Sequence, residues 1–163
     1  MQKIIRVDEP NEAFLKAMSA ECYVINAGLN ADFCKRFIEE AQDKVVLFYG
    51  DNAVEVCKQF GADGVVIDLG AEDLKAQMAD LRKTLGKGKY IGLITRNRRH
   101  ESMIVSEVEP DFVVFRVWKD GFDKVKELTD WYQEFFLIQS VAWVMEDDVP
   151  IEALNTDFVI VKA

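Results

Sequence analysis

Asn97-Arg98-Arg99-His100 is the most concentrated basic run in the chain. At a helix start, and joined by Arg96 and Arg116, these guanidinium groups can grip phosphate or carboxylate through paired hydrogen bonds, beside N–H donors that a helix start leaves free. The same cluster can equally be solvated charge, or the salt-bridge complement of an acidic chain. Among the carboxylates, Asp51 with Asp68 or Asp73 offers the hard oxygen ligands that Mg²⁺ takes, substrate phosphate completing the octahedron; the same residues also suit helix caps and loops. Lys162 stands in an otherwise apolar run, where an inward ammonium must be paired or shift its pKa. That condition serves phosphate contact or a Schiff base, whereas near the end of the sequence the ammonium can simply reach water. His100 is the single histidine, and Cys22, Cys34 and Cys57 form no CxxC pair. Each cysteine lies in an apolar segment and reads as a buried reduced thiol. Trp118, Trp131 and Trp143 read as packing residues, with Trp118 and Trp143 placed just past strand ends.

These residues need elements to position them. Nearly continuous apolar runs, rich in β-branched and aromatic residues, occur at 22–27, 45–49, 64–69, 90–95, 112–117, 136–141 and 158–161, with a less continuous first run at 3–7. Such runs are strands buried on both faces. Between them, Phe33, Phe37 and Ile38 share one face of a helix over 32–42. Leu74, Met78, Leu81 and Leu85 do so over 74–85, and Phe122, Val125, Leu128, Tyr132 and Phe135 over 122–135. Shorter patterns at 52–60 and 98–108 complete an alternation of strand and helix, which indicates βαβ units and a parallel sheet. That sheet gathers Asn26, Asp51, Asp68, Thr95, Arg96, Arg116, Trp118 and Lys162 at or beyond the C-terminal ends of its strands. Residues 1–20 are open to two readings, a first strand and helix or an arm.

Gly61-Ala62-Asp63-Gly64-Val65-Val66-Ile67-Asp68-Leu69, followed by Glu72-Asp73-Leu74, Arg82, Leu85-Gly86 and Ile91-Gly92, resembles the thiamine-phosphate synthase and thiazole tautomerase family. Pro110-Asp111-Phe112-Val113 is similar to a later strand of that family, and Thr156-Asp157-Phe158-Val159-Ile160-Val161 to its final one. The resemblance implies one domain over 1–163, a small parallel (β/α) barrel of TIM type with its site at the strand C-terminal ends. It also implies a Mg²⁺-dependent transferase that joins a pyrimidine pyrophosphate to a thiazole phosphate, with Asp73 nearest to the family's metal-binding aspartate.

Departures from the family pattern point elsewhere. The segment Tyr23 to Gly28 lacks the polar clamp expected there, Val66 and Leu69 replace a histidine and a glutamine, and the Gly-rich phosphate loops are absent. The expectation is therefore a degenerate barrel without synthase activity that binds a small phosphorylated metabolite or self-assembles; the alternative is an active transferase. Its expected ligand contacts are Arg96, Arg98, Arg99, Arg116 and Lys162, and its expected Mg²⁺ contacts are Asp51 and Asp73. The sequence stops directly after the last apolar run, so a barrel curtailed at the C-terminus is expected, with an apolar flank favouring a homo-oligomer. An open flavodoxin-like sheet with Asp51 or Asp68 as phosphoacceptor is a third reading, disfavoured by the number of strands.

Half of the 163 residues are hydrophobic and the formal charge is -9. That balance supports a packed domain and opposes non-specific binding to nucleic acid or an anionic membrane surface. The N-terminus lacks a signal-peptide core, and no apolar run approaches the roughly 18 residues of a membrane span. A cytoplasmic location is expected.

Overall fold

A computed structural model describes the backbone of residues 1–163 and every side chain except that of residue 14. Eight strands alternate with helices: β1 (Gln2–Val7), α1 (Glu12–Lys16), β2 (Cys22–Asn26), α2 (Ala31–Glu40), β3 (Val45–Tyr49), α3 (Ala53–Phe60), β4 (Gly64–Ile67) and α4 (Leu74–Leu85). There follow β5 (Tyr90–Thr95), α5 (Arg99–Glu107), β6 (Phe112–Val117), α6 (Phe122–Phe135), β7 (Gln139–Val144), a short 3-10 turn at Ile151–Ala153 and β8 (Phe158–Lys162). Every neighbouring pair is parallel, and β8 pairs with β1, so the sheet closes into a barrel. Residues 1–20 thus supply the first strand and a short helix.

Strand alternation sorts the core into two sets. Outward residues such as Tyr23, Phe48, Val65, Leu93 and Phe115 pack under the helices, while Ile4, Val24, Leu47, Val66, Val114, Val141 and Ile160 fill the barrel. Stagger between strands places inward residues of alternate strands at one level. From the register, Val24, Val66, Val114 and Ile160 form one such layer, and Arg6, Tyr49, Ile94 and Trp143 the next towards the C-terminal end. Above them lie Asn26, Asp68, Arg116 and Lys162.

The opposite end is locked by a repeated device. Asp63, Asp111 and Asp157 stand just before β4, β6 and β8, and their carboxylates accept the backbone N–H groups of Val46, Ile91 and Ser140 at 2.8, 2.7 and 2.9 Å. Each aspartate returns its own N–H to the carbonyl of that same residue. The three motifs that carry the family resemblance are therefore joints between adjacent strands.

One expectation needs correction. The apolar run at 136–141 is not the seventh strand, because Phe136 still belongs to the end of α6: its N–H donates to the Tyr132 carbonyl at 2.9 Å and its ring stacks on Tyr132 at 4.6 Å. β7 starts at Gln139, which puts Trp143 inside the strand. The flank between β7 and β8 carries Val149 and Leu154, both buried in the outer core with Val7 and Val159. The most exposed large apolar side chains are Leu137 and Phe135, after and at the end of α6.

Candidate functional site at the barrel mouth

The layer of Arg6, Tyr49, Ile94 and Trp143 closes the barrel just below its C-terminal mouth. Arg6 Nε donates to Asp8 Oδ2 at 2.8 Å, and Arg6 Nη1 to the Val144 carbonyl at 3.3 Å. The Tyr49 hydroxyl donates to the other Asp8 oxygen. Across the axis the Trp143 indole meets the Tyr49 ring edge to face at 5.0 Å, and the Arg6 guanidinium carbon lies 5.9 Å from the Trp143 ring centroid. Four side chains from β1, β3 and β7 and the loop after β1 thus plug the mouth. Trp143 is only 5% exposed, and its Nε1–H has no acceptor among the described residues.

Burial raises the pKa of Tyr49, and the hydrogen bond to Asp8 and the Asp8 charge push it further up, against smaller opposing effects from Arg6 and Asn26. The folded state therefore holds the phenol proton to higher pH than the unfolded chain does. Stability from this group is complete below the unfolded pKa of about 10 and falls as pH rises through the folded value. Tyr132 and the thiols of Cys22, Cys34 and Cys57 act in the same direction, burial being the first cause for each, with Cys22 pushed up to about 12. In urea titrations between pH 8 and 11, unfolding free energy should fall with pH, and Tyr49→Phe should remove one group's share, at most about 1.4 kcal/mol per pH unit. An equally steep fall in Tyr49→Phe would mean that the phenol is not held as described.

Above the plug, the mouth holds charges that have no partner among the described residues. Arg116 alternates with Val114 of the barrel interior and Phe115 and Val117 of the outer core, so its side chain is directed inward. It is half-buried, and its guanidinium makes no hydrogen bond or ion pair among the described residues. Lys162 and Asp68 occupy the same layer, both exposed and both without a side-chain partner among the described residues. Arg96 lies beyond β5 on the rim, lining a small cavity with Asp68 and Glu101.

Several residues anticipated at the mouth are elsewhere. Arg99, in the first turn of α5, stacks on Trp131 of α6 with its guanidinium carbon 5.0 Å from the ring centroid and reaches Glu127 at 3.9 Å. Arg98 and His100 are exposed at the start of α5. Thr95 points outward, 3.4 Å from the Ser102 hydroxyl of α5. Asp51, by contrast, is exposed at the mouth just beyond β3, in one cleft with Asp68, while Asp73 is exposed at the N-terminus of α4 with φ 53 and no capping bond. Among the described residues no three His, Cys, Asp or Glu side chains are grouped to hold a metal ion.

No family model and no curated protein matches the sequence. Among solved structures, the barrel is similar to KGPDC from Streptococcus mutans (TM-score 0.64, 14% identity, covering 99% of this chain and 87% of that one). It is also similar to thiamine phosphate pyrophosphorylase from Pyrococcus furiosus (0.69, 12%, 99% and 85%) and to tryptophan synthase from M. tuberculosis (0.68, 12%, 99% and 82%). The chain is a TIM barrel. These neighbours bear three different names at such low identity that the likeness shows the TIM-barrel fold alone. No helix of this TIM barrel is long and apolar enough to cross a membrane among the described residues.

Proposed function

We propose that this TIM barrel is a degenerate thiamine-phosphate-synthase-like protein that binds a small phosphorylated metabolite at its mouth and does not perform the synthase reaction. The observation that carries this reading is Arg116. A half-buried guanidinium without a counter-ion gives up hydration for nothing in return, and a phosphate offers it two parallel acceptor oxygens. Lys162 and Arg96 add positive charge on the same side.

Two features argue against the synthase reaction. The centre of the mouth is already filled by Trp143, Tyr49 and the Arg6–Asp8 pair, which leaves a ligand the rim above them. The loop after β7, where many TIM barrels bind phosphate on backbone N–H groups, here brings Glu146, Asp147 and Asp148 and no glycine. Glu146 is itself engaged, accepting the Lys119 N–H at 2.9 Å. Phosphate belongs instead beside β6.

Isothermal titration calorimetry tests this with pyrophosphate and ribose 5-phosphate. One-site binding is expected without Mg²⁺, weakened about tenfold or more by Arg116→Ala and unaffected by Arg99→Ala. No binding at millimolar ligand, or no effect of Arg116→Ala, removes the phosphate site. Mg²⁺-dependent turnover of a pyrimidine pyrophosphate and a thiazole phosphate, lost in Asp73→Ala, would restore the transferase.

A further inference from the structure

We infer that the ligand of this mouth is zwitterionic, a phosphate at Arg116 and a protonated amine at Asp68. The inference deepens the proposed phosphate site and rests on it. Within the mouth the acid and the base of the Asp68 layer stand on different strands. The ends of β1 to β4 bring Asp8, Asp51 and Asp68 along with Arg6, the ends of β5 and β6 bring Arg96 and Arg116, and Lys162 of β8 lies beside Glu146, Asp147 and Asp148 of the loop after β7. Asp8 is spent on Arg6 and Tyr49. Asp68 is not spent.

Asp68 and Arg116 share one layer, two strands apart, and form no ion pair. At about 4.8 Å between neighbouring strands, their backbones stand roughly 10 Å apart along the wall. That gap suits a small molecule carrying opposite charges at its two ends.

The space at the Asp68 end fits an organic amine better than a bare cation. Asp68 lines an open cleft of about 390 Å³ with Asp51 and Tyr49, floored by Val66, Ile67, Leu69 and Ile94. Apolar walls take carbon, and a carboxylate at the edge takes one ammonium. A bare metal ion would ask for a larger set of oxygen ligands, and among the described residues no three His, Cys, Asp or Glu side chains are grouped to hold one. At the phosphate end, Arg116 is the register neighbour of Trp143, whose buried Nε1–H, in the layer below, has no acceptor among the described residues.

The deciding experiment is calorimetry at pH 6.5 on the full chain with three sugar phosphates of one frame. Glucosamine 6-phosphate carries the ammonium, glucose 6-phosphate a hydroxyl, and N-acetylglucosamine 6-phosphate an uncharged amide. Glucosamine 6-phosphate should bind about tenfold more tightly than either other probe, in line with a charge-assisted hydrogen bond. Asp68→Asn should erase that preference and leave glucose 6-phosphate within about twofold of its affinity for the parent protein. Arg116→Ala should weaken all three. Equal affinities in the parent protein, with the Arg116 dependence intact, overturn the zwitterion and spare the phosphate site. Failure of all three probes at millimolar concentration overturns both.

Discussion

Gly64→Ala should leave the barrel about 3 kcal/mol less stable or prevent its folding, the largest effect of any single methyl group added to this chain. A Cβ on Gly64 would stand 2.1 Å from the Tyr90 carbonyl oxygen and 2.8 Å from its carbon. Those are backbone atoms of the strand that Gly64 pairs with, so relief requires parting β4 from β5. Gly92→Ala meets a side chain instead, its Cβ 2.1 Å from Cε2 of Phe112, whose ring fills the lower barrel. Its cost should be smaller and partly rescued by Phe112→Leu. Gly70→Ala, with nothing within 4 Å and no positive φ, is the neutral control. Denaturant melts followed by circular dichroism rank the three variants. If Gly64→Ala melts with Gly70→Ala, the β4–β5 register is wrong.

The barrel was legible because burying a strand on both faces leaves apolar runs, and seven of the eight strands, the less continuous first one included, coincide with the runs in the sequence to within about two residues. The seventh misled because Phe136, Leu137 and Ile138 mimic a strand while Phe136 completes the aromatic stack on Tyr132. That shift hid Trp143, which the reading placed past a strand end and the fold places inside the barrel. Arg6 and Asp8 were passed over for a related reason: β1 has one fully buried residue every third position, Ile4 and Val7, and reads as discontinuous. Only closure against β8 makes it an interior strand.

Asp68, Arg116 and Lys162 were found at the mouth because strand ends can be counted from apolar runs. Arg98 and Arg99 were drawn there because a helix start is recognisable in sequence, whereas the direction its side chains take is not. Arg99 finds the face of Trp131 on α6, a neighbour 32 positions on that periodicity cannot pair with it. The motifs at Asp63, Asp111 and Asp157 that carry the resemblance were legible as motifs and silent about their work. In the fold they join strands at the end remote from the mouth, so their presence says nothing about the site.

Trp143 separates the plug as packing from the plug as a source of unused hydrogen bonds. Trp143→Ala should cost about 3–5 kcal/mol, since it empties the centre of a buried layer and removes both the edge-to-face contact with Tyr49 and the face that Arg6 lies against. Trp143→Phe keeps a ring against Tyr49 and deletes the Nε1–H. A buried donor without an acceptor carries a desolvation penalty of about 1–3 kcal/mol, so its removal offsets the volume lost, and this variant should stay within about 1 kcal/mol of the parent. Urea unfolding of the two variants reads the difference directly. A loss of less than about 1 kcal/mol in Trp143→Ala would mean that the mouth is not plugged. A loss in Trp143→Phe as large as in Trp143→Ala would mean that the indole N–H is bonded in the folded protein and is no longer available to a ligand.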